Sequence, residues 1–286
     1  MKVLMIHGIG QEGSTQKELL EKWTESLHKV SPGLLANAET RMAYYGTTLA
    51  NWANGDTAVG MGTGATDVNI GDADEIAFLT SALQEAAEVQ NLTDADIASA
   101  EQDAAEAVAM DSMTGRFLVG LVRALEKISP LKGSLLLRVV KQGHTYLSSP
   151  GAGTAVDNLV RPYLKESPQV VITHSLGTVV AFKLLREIQK SGTDIEIPLL
   201  ITMGSPLGLE AFKKKLGPPR LKPLSVKRWM NFYDPSDFVS LGKALHKEFA
   251  TGIEDDGTVD NFTDNAHGII GYLPHQGVVQ ALKTVL

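Results

Sequence analysis

Two rhythms of apolar positions divide the chain. Predominantly apolar runs at residues 3–6, 169–173 and 199–203 have strand length and lack the alternation of a half-exposed strand. They predict strands buried on both faces. Residues 40–45 and 227–233 predict two more. Between these runs apolar residues recur at three- and four-residue intervals. Leu19, Leu20, Trp23 and Leu27 predict a helix over 15–30, and Val179, Val180, Phe182, Leu184, Leu185 and Ile188 predict one over 176–189. Val278, Val279, Leu282 and Val285 predict a closing helix over 276–286. Such alternation points to an α/β fold, with a mostly parallel central sheet flanked by helices.

The alternation stops between Gly46 and Gly153. Residues 57–72 are rich in glycine and small side chains and read as a loop. Residues 74–109 are rich in alanine and acids, with helical spacing through Ile76, Leu79, Leu83 and Ala87 and a break with a new N-cap at 91–94. Two strongly apolar stretches follow, 117–128 and 135–140, and 158–165 belongs to the helix leading into the strand at 169. There is no internal repeat. The chain therefore reads as a sheet scaffold made of 1–46 and 153–286, carrying a mostly helical insertion at 47–152.

Composition narrows the chemistry. At 286 residues, with 43% apolar and 21% charged, the chain can bury a full core without disulfide or metal staples. The absence of cysteine excludes thiol catalysis and Cys-based zinc sites, and it is compatible with a reducing compartment. A net charge of -7 argues against nucleic acid as a partner. The basic run at 212–227, interrupted by Pro218, Pro219 and Pro223, reads as a solvated surface loop. The apolar run at 3–6 is shorter than the ~7–15 residues of a signal-peptide core. No stretch approaches the ~20 apolar residues that span a bilayer. The expectation is a cytoplasmic protein with no transmembrane segment.

Against that background Ser175 stands out. Thr173-His174-Ser175-Leu176-Gly177 follows a buried strand directly and opens a helix directly. A sharp strand-to-helix turn exposes a serine hydroxyl above the sheet edge, and Gly177 lets the helix pack close to the strand. The pattern is G-x-S-x-G with Thr173 in place of the first glycine, where a β-branched side chain must fit a crowded position. The first strand ends in His7-Gly8-Ile9-Gly10, a turn able to present backbone N–H groups beside the serine. Ile9 and Leu176 are the expected oxyanion donors. His7 is expected to be structural, hydrogen-bonded beneath the turn.

The stretches VLMIHGIGQ, VVITHSLGTVVA, ITMGSPLG and NFYDPSDFVS, followed by NAHGIIGYL, resemble the intracellular α/β-hydrolases of the lipase and esterase group. The resemblance covers roughly 1–46 and 158–286. It implies the α/β-hydrolase fold, with the insertion as a helical cap over the catalytic face. It also implies a chain order of nucleophile, acid and histidine. Asp234 and Asp237 both lie where the acid belongs. The family's habit of placing the acid before an apolar pair favours Asp237, ahead of Phe238-Val239, and leaves Asp234 as a turn cap. For the base, His267 occupies the loop where the family carries it, with His275 as the competitor at the start of the last helix. His28 reads as surface, and His144 and His246 lack context. His174 adjoins the nucleophile but points the wrong way on a strand end.

The expected activity is hydrolysis of a small ester or acyl substrate through an acyl-enzyme, with no cofactor. Thioesterase, amidase and acyltransferase activities share the same triad, and a non-catalytic binding module is the rival of a different class. No metal is expected: the acidic residues at 255–256 and 260–264 lack EF-hand spacing. Gly60, Gly62 and Gly64 follow no strand and precede no lysine, so they make no phosphate cradle.

Overall fold

The computed structural model describes residues 1–55, 72–105, 113–130, 132–261 and 265–286. The loop expected over 57–72 lies outside these residues except for Asp72, as do residues 106–109 of the expected helix and residues 262–264.

Six strands form one sheet: β1 (Lys2–Ile6), β2 (Glu39–Ala43), β3 (Val170–His174), β4 (Ile197–Met203), β5 (Val226–Phe232) and β6 (Ile253–Asp256). Their order is β2-β1-β3-β4-β5-β6, and every neighbouring pair is parallel. The continuous apolar runs have their reason here. Within β1, Val3 and Met5 face one apolar cluster while Leu4 and Ile6 face the other, so no position is left for a polar residue.

The cluster containing Met5 and Ile172 is covered by α1 (Gln16–Val30) through Leu19, Trp23 and Leu27, and by α12 (Gln276–Lys283) through Val278 and Leu282. Thr15 starts α1 with a capping box, its hydroxyl and the Glu18 carboxylate each taking the other's backbone N–H. The opposite face is the thicker one. Helices α2 (Gly46–Gly55), α3 (Ala73–Val89), α4 (Asp94–Ala105), α5 (Met113–Ile128) and α6 (Lys132–Ser148) fill the part of the chain expected as a helical insertion. The break expected near residue 91 is there, with Asn91 at φ 56° and Thr93 and Asp96 exchanging capping bonds. Phe78, Leu121 and Val140 from this segment are buried in one cluster with Leu4 and with Val179 of α8 (Leu176–Lys190). The segment thus shares its core with the sheet. Between it and β3 runs α7 (Pro150–Lys165).

The basic run differs from the expected solvated loop. Its first part is the end of α9 (Glu210–Leu216), where Phe212 is fully buried and Lys213 is buried between Glu210 at 2.5 Å and Glu248 at 3.5 Å. Paired carboxylates make that burial tolerable. Three short elements complete the chain: α10 (Leu245–Glu248), α11 (Ile269–Tyr272) and the edge strand β6. Among the described residues no helix is long and apolar enough to cross a membrane.

Candidate active site

Chain order and sheet order part company between β1 and β3. The chain leaves β1 toward β2 on one side and returns at β3 on the other. In open parallel sheets the crevice at such a switch point, beyond the carboxyl ends of the strands, is where ligands bind. The sequence puts its candidate chemistry there. His7 to Gly10 follow β1, Ser175 follows β3, Gly204 follows β4, and Asp234 and Asp237 follow β5.

Ser175 is buried and sits at φ 52°, ψ −130°, a conformation that costs a non-glycine residue energy. The turn is held by Ser175 N–H on the Met203 carbonyl at 3.0 Å and by Thr178 on the Ser175 carbonyl. Two glycines make room for it. A Cβ on Gly8 would lie 2.6 Å from the Ser175 Cβ, and one on Gly177 would collide with the carbonyls of Ile6 and His7. Thr173 fits its crowded position because its hydroxyl donates to the Ile201 carbonyl of β4 at 2.8 Å. Leu176 is the first residue of α8, so its N–H has no acceptor within the helix. Ile9 lies in the loop whose Gly8 faces Ser175.

Asp237 and His267 meet directly. Nδ1 of His267 lies 2.9 Å from Oδ2 and 3.0 Å from Oδ1 of Asp237, and both residues are buried. A carboxylate only accepts, so Nδ1 carries the proton and Nε2 is left as an acceptor. Burial alone would raise the Asp237 carboxyl. The His267 ring, the Val239 N–H at 2.8 Å and the Tyr272 hydroxyl at 2.8 Å outweigh it and hold the group below the ordinary carboxylate value. Nε2 of His267 and Oγ of Ser175 are buried without any hydrogen-bond partner, each other included.

Asp234 does other work. Its carboxylate accepts from the Ser236 N–H and from the Asn261 N–H, both at 2.7 Å. Asn261 in turn donates its amide to the carbonyls of Ala266 at 2.9 Å and Gly268 at 3.2 Å, the residues on either side of His267. His275, the rival base, caps α12 by accepting from the Gly277 N–H at 3.3 Å.

His7 lies beneath the turn. It donates from Nδ1 to the Gly8 carbonyl at 2.6 Å and accepts the Tyr45 N–H on Nε2 at 3.0 Å. Burial pushes its pKa down to about 4, since a second proton would face the Tyr45 N–H. His174, set aside on strand alternation, has a positional role: its Nε2–H donates to the His267 carbonyl at 2.8 Å, with the two rings 4.6 Å apart. Burial and the neighbouring His267 push its pKa down to about 3, keeping it neutral. The sequence reading sets His174 aside and does not single out Asn261 or Tyr272. Only Tyr272, five residues beyond His267 in an otherwise apolar stretch, left a trace there.

Beside His267 opens a cavity of about 320 Å³, walled by Lys132, Leu135 and Arg138 of α6 and by Pro130 and Phe238. On the far side of α6, Asp72, Asp74 and His144 bring their ligand atoms within 4.8 Å of one another. Each is already engaged: Asp72 caps α3, and Asp74 pairs with His144 Nε2 at 2.9 Å and Lys215 Nζ at 2.6 Å. The Lys215 bond leads in drawing the Asp74 pKa down to about 2, and an ammonium in contact opposes a second cation there. His144, which lacked context in the sequence, belongs to this hydrogen-bonded cluster.

Comparisons of this chain with protein-family models, with curated proteins and with solved structures found no match.

Proposed function

We propose that this protein is a serine ester hydrolase on an α/β-hydrolase scaffold, with Ser175 as nucleophile, His267 as base and Asp237 as its orienting acid. The observation that carries the reading is the His267–Asp237 pair. It fixes the tautomer that leaves a basic Nε2 buried and unpartnered, as the Ser175 hydroxyl also is. Buried polar atoms without partners are unusual and often mark chemistry.

In the proposed reaction Ser175 Oγ bonds to the ester carbonyl carbon as its proton passes to His267 Nε2. The carbonyl oxygen becomes an oxyanion, for which the Ile9 N–H and the Leu176 N–H, the latter at a helix N-terminus, are the candidate donors. Collapse breaks the bond to the alkoxy oxygen, which leaves as the alcohol with the proton from His267. Water then attacks the acyl-enzyme with the same base, and the second collapse returns the proton to Ser175. Asp237 stays ionised and steadies the imidazolium. The sequence needs no oxidant, and water is the only reactant besides the ester. On this reading α2 to α6 form the cap, and a cavity near the small end of the usual ~300–1,000 Å³ range suits a short acyl chain.

The test is turnover of p-nitrophenyl esters from acetate to decanoate by wild type, Ser175→Ala and His267→Ala. The expected result is hydrolysis by wild type, best on short chains, with loss of several orders of magnitude in both variants. Thioester and amide panels divide the related acyl-transfer activities. An inert wild type returns the binding-module reading.

A further inference from the structure

The cavity beside His267 carries a charge that the molecule as a whole does not. The chain has a net charge of -7, yet the described cavity wall contains Lys132 and Arg138 and no carboxylate. Neither cation is firmly neutralised. Lys132 has no acidic partner among the described residues, and its ammonium lies 4.7 Å from the centre of the Phe238 ring. Arg138 reaches only Glu12, at 3.8 Å with both side chains well exposed, a separation at which a surface pair contributes little.

Their placement ties them to the chemistry. Phe238 directly follows Asp237 in the chain, so Lys132 sits over the neighbour of the acid. The Arg138 guanidinium packs against Gly10 in the loop after β1, 3.5 Å from where a Cβ would stand. Both cations thus lie on the wall of the cavity that His267 also lines, and Arg138 reaches from that wall to the loop after β1. Lys132 and Ser134 lie in the first turn of α6, whose leading N–H groups lack partners within the helix and add positive field. His267, whose Nε2 is buried and unpartnered, is one of the residues lining the same cavity.

We propose that this cavity selects an ester bearing an oxyanion, a carboxylate or phosphate, held by Lys132 and Arg138 while the scissile carbonyl lies at Ser175. The proposal rests on the hydrolase reading for its reaction, while the anion site itself stands on the charge and geometry of the cavity. A neutral ester would make no charge-assisted contact with the two cations, whereas an anion would gain charge-assisted hydrogen bonds from a guanidinium and an ammonium. The side chains are reached by solvent, so the preference is expected to weaken with added salt.

The experiment compares matched esters and also measures binding. Hydrolysis of monomethyl adipate is measured against methyl hexanoate, placing the anion in the acyl half. The phosphate monoester of 2-hydroxyethyl butanoate is measured against 2-hydroxyethyl butanoate, placing it in the alcohol half. The readout is the ratio of kcat/KM, anionic over neutral, for wild type, Lys132→Ala, Arg138→Ala and Arg138→Glu. Calorimetry follows monomethyl adipate binding to each protein without reference to turnover. The expected result is a wild-type ratio above one in at least one pair, falling about tenfold in each alanine variant and further in Arg138→Glu. The pair that responds identifies carboxylate or phosphate. Equal rates within both pairs, unmoved by the variants, overturn the anion site while the esterase stands. If no ester turns over but monomethyl adipate binds through Lys132 and Arg138, the esterase falls and the anion site stands. Neither turnover nor binding sinks both.

Discussion

Tyr272 donates its hydroxyl to Oδ2 of Asp237 at 2.8 Å, and the Tyr272 oxygen itself accepts the Asp234 N–H at 3.0 Å. One phenol thus joins the acid facing His267 to the turn that begins its loop. It is buried, and burial pushes its pKa upward, so the donor stays protonated. Tyr272→Phe removes a donor from the carboxylate and leaves the Asp234 N–H without its partner. The expected outcome is a destabilisation of about 1–3 kcal/mol in urea unfolding. Ester turnover is expected to fall about tenfold, with the acid limb of the kcat/KM profile moved to higher pH. An unchanged pH profile would reduce Tyr272 to a packing residue.

The two aspartates at the end of β5 make opposite predictions. Asp237→Asn presents an amide to Nδ1 and destroys the tautomer control over His267. Turnover is expected to fall by about 10³–10⁴. Asp234→Asn keeps one acceptor and loses the other, loosening Asn261 and the loop it braces. Its expected signature is a loss of about 1–3 kcal/mol of stability with turnover lowered less than about tenfold. Kinetics and thermal unfolding of the two variants side by side decide the assignment.

Part of this distinction was legible beforehand. Asp234 before a proline reads as a turn cap, and its bond to the Ser236 N–H is that cap. Its second bond, to Asn261, connects residues 27 apart and has no local signal. The same contrast runs through the fold. Strands β1, β3 and β4 announce themselves because both faces are buried and apolar residues run through them with little interruption. Strand β6 reads Ile253-Glu254-Asp255-Asp256 and hides its strand character. It is an edge strand, and Asp255 is satisfied by the N–H groups of Leu245 and His246, both at 2.8 Å. The short helix α9 was masked by its lysines, because the carboxylates that allow Lys213 to be buried come partly from Glu248, distant in the chain. Local pattern exposes elements that meet the core on their own, and it misses those stabilised by a distant partner.

Gly204 stands at φ 53°, and a Cβ there would lie 2.8 Å from Oδ2 of Asp237 and 3.0 Å from Nδ1 of His267. Gly204→Ala therefore strains the backbone and wedges the Asp237–His267 pair apart. Ester turnover is expected to drop about 10²-fold or more, the scale set by small misplacement of catalytic groups. Gly192→Ala, at φ 72° with open space around it, carries the backbone strain alone and is the control. Equal turnover in the two variants would contradict the wedge.

Acid stability follows from the buried neutral histidines. The pKa of His7 is held at about 4 and that of His174 at about 3, against an ordinary 6.5. Below 6.5 the unfolded chain takes up protons that the folded chain refuses, so stability falls as pH drops from there toward 4. Each histidine is expected to contribute about 2–3 kcal/mol to that loss at pH 4.5. His7→Gln, which has no proton to refuse, starts less stable at pH 7.5 and loses less on acidification. Urea titrations of both proteins at the two pH values measure the difference, and parallel losses would contradict this origin.

The most direct test of the central claim is to treat the protein with a fluorophosphonate probe and locate the adduct by peptide mass spectrometry. The account predicts one stoichiometric adduct on Ser175, absent from Ser175→Ala and slowed by orders of magnitude in His267→Ala. A wild type that takes no label, or carries it on another serine, would contradict the assignment of Ser175 as an activated nucleophile.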